Sequence, residues 1–333
     1  MKFLIVGLGS IGRRHLRHLV ALGQIDITLC RTGRSTLPDD ELAEYPIETE
    51  LSAALAHKPD AVIVSNPTSM HIETALPAAK AGCHILIEKP IAHDLGGVAD
   101  LKAAVKENDV RVLVGFQFRY HPGLQKLKEV IENGEVGHPI SVRTHWGEYL
   151  PDWHPWEDFR ESYAARKDLG GGVILTLTHP LDYLRWLFGE VDSLWAFKGQ
   201  MSDLALEVED VGEIGLKFSN GVIGSLHLNY NQRPPRHQVE VVCTQGTIRW
   251  DQAGDGLDVY STETQAWKQY PLPEGFERDD LFAAQMAHFL EVVTGKAEPA
   301  CSLHDGVRAL ELALAAHQSA EEEKIIKFNG EEN

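Results

Sequence analysis

No stretch of this 333-residue chain approaches the roughly 18 consecutive apolar residues that a membrane-spanning helix needs, so no membrane partner is expected. Met1 and Lys2 lead straight into an apolar segment, without the basic, apolar and small-residue stages of a secretory leader. Cysteine is scarce, and Cys30, Cys83, Cys243 and Cys301 stand apart with no C-x-x-C pair. That argues against a disulfide framework and fits reduced thiols in the cytoplasm, the expected location. Positive charge is short as well. With 31 Lys and Arg against 49 Asp and Glu the formal charge is −18, which argues against nucleic acid as a main partner. Histidine is plentiful, at 16 residues, yet His15 with His18 and His145 with His154 lack flanking Cys, Asp or Glu at ligand spacing, so no metal site is expected. There is no G-x-S-x-G elbow and no internal repeat.

What is present begins at once. Lys2-Phe3-Leu4-Ile5-Val6 reads as a buried strand, and Gly7-Leu8-Gly9-Ser10-Ile11-Gly12 follows it. In this context Gly7 permits the tight turn, Gly9 lets a pyrophosphate approach the backbone, and Gly12 lets the helix predicted over residues 13–22 pack close to the sheet. The helix start offers free N–H groups to phosphate. The run from Arg13 to His18 reads as a basic helix face near those phosphates.

The second strand, Asp26 to Cys30, ends where a dinucleotide site that prefers NAD usually carries Asp or Glu for the ribose hydroxyls. Here Arg31, Thr32, Gly33 and Arg34 stand instead. Two guanidiniums and a hydroxyl suit a 2′-phosphate, so NADP is the expected cofactor and NAD the less favoured one. Further strands over 59–65, 84–87 and 111–115 alternate with helices over 71–80 and 94–107. Such alternation means a doubly wound parallel sheet, whose ligands lie beyond the carboxyl ends of its strands. Gly7–Gly12, Arg31, Asn66–Thr68 and Glu88–Pro90 fall at those ends.

Asn66-Pro67-Thr68, His71 and the run Ala81 to Glu88-Lys89-Pro90 resemble the Gfo/Idh/MocA oxidoreductases, the family of glucose–fructose oxidoreductase and inositol dehydrogenase. The resemblance continues through Phe118-Arg119-Tyr120-His121-Pro122 and Leu169-Gly170-Gly171-Gly172 to His179, and weakens after about residue 230. It implies a Rossmann domain, here residues 1–119, followed by a substrate and oligomerisation domain, residues 120–333, built on a large open sheet. The expected fold class is thus α/β followed by α+β. The resemblance also implies that Lys89 is catalytic and contacts substrate. Cofactor contacts are expected from Gly7, Gly9, Ser10, Ile11, Gly12, Arg31, Thr32, Arg34, Asn66, Pro67, Thr68, His71, Glu88 and Lys89.

In the second half a helix is predicted over 122–132 and a strand over 140–147. Trp146 to Lys167 then reads as a shaped loop in which Trp153, His154, Trp156, Arg160 and Tyr163 could face a sugar ring and its hydroxyls. The same aromatics could bury a subunit contact or form a local core. Arg119 and Thr176 join this substrate set. His179 is the acid/base candidate, since imidazole titrates near neutrality. The family typically places an aspartate three or four residues before that histidine, where this chain has Thr176 and Leu175; Asp182 could orient the ring instead. From about residue 193 strand alternation without crossover helices predicts a mostly antiparallel sheet, closed by helices over 279–294 and 303–322, with a frayed tail after Asn329.

The function expected is hydride transfer between NADP and a sugar, cyclic polyol or sugar nucleotide by a homo-oligomer. The alternatives are an NADP-binding sensor or regulator without turnover, favoured by Thr176, and an NAD-assisted glycosidase or a reductase of a non-sugar carbonyl or imine.

Overall fold

The structure, a computed structural model, describes residues 1–33 and 37–328. The chain divides into two compact units. The first comprises Met1–Gln117, Asp168–Gly170 and Glu277–Leu310, and the second comprises Phe118–Lys167, Gly171–Phe276 and Glu311–Asn333.

In the first unit β1 (Lys2–Val6), α1 (Ser10–Ala21), β2 (Asp26–Cys30), β3 (Ile47–Glu48), α2 (Leu51–Ala56), β4 (Ala61–Val64), α3 (His71–Lys80), β5 (His84–Ile87), α4 (Val98–Glu107) and β6 (Val112–Val114) follow one another. The six strands are parallel in the order β3-β2-β1-β4-β5-β6, with Val6 beside Cys30 on one side and Val64 on the other. This is the doubly wound order, and it reverses between β1 and β4. Every residue of β4 is buried, as a central strand covered on both faces requires. Two boundaries differ from the sequence expectation. Helix α1 starts at Ser10, inside the glycine motif. Helix α4 starts only at Val98, because Gly97 takes a left-handed conformation, and Leu95 is left half exposed outside it.

The second unit contains α5 (Pro122–Glu132), β7 (Pro139–Tyr149), the single turn α6 (Val173–Thr176), α7 (His179–Phe188), β8 (Val191–Gly199), β9 (Val211–Phe218), β10 (Ile223–Asn229), β11 (Asn231–Cys243), β12 (Gly246–Asp251), β13 (Gly256–Ser261) and β14 (Ala266–Pro271). The chain then returns to the first unit with α8 (Asp279–Val293), crosses back along α9 (Leu303–Glu322), and ends on β15 (Ile326–Lys327). The nine strands run β14-β13-β12-β11-β7-β10-β9-β8-β15. All neighbours are antiparallel except β7 and β10. Strand β7 reaches Tyr149, so Trp146 is a strand residue and not the start of the loop. Its inward neighbours Val142 and Thr144 are buried with it, the alternation of a half-covered sheet. The tail beyond Phe328 lies outside the described residues, and no described helix is long and apolar enough to cross a membrane.

Candidate cofactor and proton-transfer sites

The carboxyl ends of β1 and β4 meet at the point where the strand order of the first unit reverses. Gly7 has φ +92°, and a Cβ there would stand 2.4 Å from the Asn66 amide nitrogen. At Gly12 a Cβ would stand 2.0 Å from the Gly7 carbonyl oxygen. Both positions therefore exclude a side chain for internal reasons. Gly9 differs, because a Cβ added there would meet nothing within 4 Å. The fold itself does not demand its glycine, whereas a ligand pressed against that backbone would. Helix α1 has no side-chain cap and no acidic residue in its first turn, and its first intrahelical bond runs from the Arg13 amide to the Gly9 carbonyl. The amides of Ser10, Ile11 and Gly12 precede that bond and carry the positive end of the helix dipole.

The expected basic face of α1 needs correction. Arg13 and His15 are buried, so they point into the protein and not at phosphate. Arg13 donates to the carbonyls of Leu8 (3.0 Å), Pro38 and Leu37, and pairs with Glu41 and Asp39, tying the glycine turn to the segment after β2. His15 Nε2 lies 2.8 Å from Glu88 Oε1, and the other Glu88 oxygen accepts the Lys89 amide at 3.3 Å. Burial works against the Glu88 charge, but His15 and Lys89 together hold its pKa below the ordinary carboxylate value. The spacing held a signal for this. His15 falls on the inward stripe of α1 with Leu16 and Leu19.

Arg31 bonds Asp39 through Nη1 at 2.5 Å, with only 9% of its side chain exposed. Thr32 is exposed, and Arg34 lies outside the described residues. The turn after β4 holds Asn66, Pro67 and Thr68. Asn66 donates to Thr74 at 2.9 Å, while its Oδ1 is buried with no hydrogen-bond partner. His71 is buried and spans two turns, with Nδ1 2.8 Å from the Pro90 carbonyl and Nε2 2.9 Å from the Asn66 carbonyl. Burial lowers its pKa and outweighs the two carbonyls, which raise it. It thus ties the Asn66 turn to the Lys89-Pro90 turn. Lys89 itself is half-buried.

In the second unit His179 is the first residue of α7, 2% exposed. Its ring lies edge-to-face with Phe118 at 5.0 Å and tilted against Trp146 at 5.4 Å. His237 is stacked on the Trp146 indole at 4.3 Å and 6°. His237 bonds the Tyr183 hydroxyl at 3.0 Å and Gln252 at 2.8 Å. Sequence reasoning missed Phe118, His237 and Tyr183, whose approach depends on β7 and β11 pairing Trp146 with His237. Arg119 donates to both carboxylate oxygens of Asp182, at 2.9 and 2.6 Å, and both residues are buried. Thr176 is buried at the end of α6.

The expected substrate loop contains the short 3₁₀ turns Leu150–Asp152, Phe159–Glu161 and Tyr163–Ala165 and runs into a fourth, Lys167–Leu169. Trp153 meets Tyr230 edge-on at 5.7 Å, and it lines a narrow crevice with Leu150, His154, Phe159 and Tyr163. Trp156 is 59% exposed, tilted against His154, and Arg160 is exposed over the Phe159 ring. Among the described residues no group of three His, Cys, Asp or Glu side chains is arranged to hold a metal ion.

Residues 1–116 match a family model described as an oxidoreductase family with an NAD-binding Rossmann fold, and residues 124–249 match a GFO/IDH/MocA C-terminal domain. The chain is 28% identical over 355 residues to the myo-inositol 2-dehydrogenase of Thermotoga maritima, covering 98% of each protein. It is similar in fold to the WlbA dehydrogenase of Bordetella pertussis in complex with NADH and UDP-GlcNAcA, with a TM-score of 0.82, 24% identity and 99% of both chains covered. It is also similar in fold to a levoglucosan dehydrogenase in complex with NADH and levoglucosan, with a TM-score of 0.85, 20% identity, and 98% of this chain and 99% of that one covered.

Proposed function

Because the chain belongs to the Gfo/Idh/MocA family of NAD(P)-dependent oxidoreductases, we propose that it transfers hydride to or from a ring carbon of a sugar, cyclic polyol or sugar nucleotide, with NADP as the favoured cofactor. The observation that carries this is the switch point of the first unit. There a side-chain-free Gly9 that the fold does not require, an uncapped helix start and an orphaned Asn66 Oδ1 converge. A nicotinamide dinucleotide fits that donor and acceptor set.

The amides of Gly9, Ser10, Ile11 and Gly12 would hold the pyrophosphate, and Arg31, Thr32 and Arg34 the 2′-phosphate. Asn66, Pro67, Thr68, Glu88 and Lys89 would face the nicotinamide end. His71 acts by holding those turns together. When bound, the nicotinamide supplies or accepts the hydride. Lys89 is held on its turn by Glu88 and polarises the reacting oxygen with its ammonium. His179 exchanges the proton, its ring fixed by Phe118 and Trp146. Arg119 acts by pinning Asp182 one turn along α7 from His179. Trp156 offers an exposed indole face for a sugar ring, with Trp153, His154, Arg160, Tyr163 and Thr176 as further contacts.

The exposed face of the nine-stranded sheet carries Trp195, Phe197, Ile223 and Val242, at 40%, 69%, 63% and 40% exposure. An apolar patch of that kind supports self-association into a homo-oligomer. Four buried free thiols fit a cytoplasmic location. One observation favours a second reading. Thr176 and Leu175 stand where the family resemblance implies an aspartate, and a chain without that carboxylate suits a nucleotide-binding regulator without turnover.

The test is nicotinamide absorbance in the presence of NADP(H) or NAD(H) and a panel of aldoses, inositols and anhydrosugars. Turnover that falls about 10²-fold or more in Lys89→Met and in His179→Ala is the expected result. Nucleotide binding without turnover on any member would establish the regulator. Loss of both overturns the proposal.

A further inference from the structure

The segment between β2 and β3 brings one carboxylate to two guanidiniums. Asp39 Oδ1 lies 2.5 Å from Arg31 Nη1 and 3.3 Å from Arg13 Nη2. The exposures are opposite in character: the Arg31 and Arg13 side chains are 9% and 3% exposed, and Asp39 is 64% exposed. The cations are therefore fixed in the protein, while the anion sits at the solvent side and can be exchanged. Arg13 has its own set of acceptors in Leu8, Leu37, Pro38 and Glu41. Arg31 is the cation at the end of β2, the position from which a dinucleotide site reads the 2′ substituent of the ribose.

We infer that Asp39 occupies the anion seat on Arg31 that the 2′-phosphate of NADP takes, so that the contest between the two anions sets the preference of this site between NADP and NAD. The inference rests on the cofactor reading given above and adds the residue that tunes it. A phosphate dianion outbids a single carboxylate for a guanidinium fork, but it must first displace that carboxylate. NAD, with a neutral 2′-hydroxyl, displaces nothing. The carboxylate that an NAD-preferring site usually carries at the strand end is absent there, and one stands beside Arg31 instead, eight residues later in the chain.

The test titrates the full-length chain with NADP⁺ and with NAD⁺ by calorimetry, for the wild type, Asp39→Asn, Asp39→Ser, Arg31→Gln and the double variant Asp39→Asn/Arg31→Gln. Both Asp39 variants are expected to bind NADP⁺ about tenfold more tightly, with NAD⁺ changed less than twofold. The gain is expected to vanish when Arg31 is Gln. Unchanged or weaker NADP⁺ binding in both Asp39 variants, with NAD⁺ still bound, overturns the inference and leaves the cofactor reading standing. A gain that survives Arg31→Gln overturns it too. Absence of binding of either nucleotide to every form overturns the cofactor reading and the inference together.

Discussion

His15 and Glu88, 73 residues apart, meet at 2.8 Å inside the first unit, and the Glu88 carboxylate also accepts the amide of Lys89. The helix that starts at the glycine turn is thereby joined to the turn that presents the lysine. Replacing His15 with Leu leaves a buried carboxylate short of its strongest partner. The expected loss is about 2–3 kcal/mol of stability, the scale of a hydrogen bond to a charged group. Urea unfolding measures it, and an unchanged midpoint would show that the pair does not hold Glu88.

The Arg119–Asp182 pair is buried and two-pronged. Asp182→Asn removes one charge and strands the other, so a loss of about 3–5 kcal/mol is expected. An Arg119→Met/Asp182→Leu double variant should recover most of it, because apolar replacement of a buried pair is often neutral. If the double variant stays as unstable as the single one, the guanidinium has a second role in the site.

His121 caps α5, its Nδ1 accepting the Gly123 amide at 3.0 Å among Phe118, Trp250 and Phe276. Burial pushes its pKa down to about 4 from 6.5. The unfolded chain therefore binds the proton more readily, so this contribution is complete above pH 6.5 and is lost as pH falls toward 4. The loss amounts to about 3 kcal/mol. His121→Asn, which keeps a capping acceptor but does not titrate, should show a smaller decline in stability between pH 7 and pH 4. Parallel declines in the two proteins would contradict the assignment.

Trp153 and Trp156 should separate. Trp156 is 59% exposed, so Trp156→Ala should leave stability within about 0.5 kcal/mol and raise the KM for a sugar substrate. Trp153 packs on Tyr230, and its truncation should cost about 2 kcal/mol as well. Unaltered KM in Trp156→Ala, measured at saturating cofactor, assigns that indole to another surface.

Phe197, on the exposed sheet face, is 69% exposed beside Trp195, at 5.3 Å between rings. Phe197→Asp should shift the sedimentation coefficient to that of a monomer without lowering the unfolding temperature of the remaining fold. An unshifted coefficient, with an oligomer in both proteins, places the interface elsewhere.

The glycine turn was legible because its chemistry is local: six consecutive residues carry both the turn and the helix start. The Rossmann order followed from alternation of strand and helix over similar intervals. What stayed hidden depends on chain segments folding back. Nothing in the spacing of Arg31 and Asp39 says that their side chains form an ion pair. Nothing in the residues of β10 says that it runs parallel to β7, because alternation carries no strand direction. Strand β7 runs two residues beyond the expected end at 147 for a different reason: Gly147 and Pro151 signal a turn, while the inward alternation of Val142, Thr144 and Trp146 carries the strand on to Tyr149.

The return of the chain through residues 277–310 has a bearing on biosynthesis. Arg14 of α1 pairs with Asp279, Arg111 donates to the Val292 carbonyl, and the Val114 amide finds its acceptor at Cys301. Viewed along the message, the second unit is largely an insertion within the first. A nascent chain that has emerged only as far as β14 lacks the helix that covers the outer side of α1, whatever the state of its sheets. Although domains commonly fold from the N-terminus as they leave the ribosome, the first unit of this protein closes only once residues 277–310 have followed the second unit out. A fragment ending at residue 119 would accordingly be an unfinished module, and a premature stop between residues 277 and 310 would leave the first unit without its last segment.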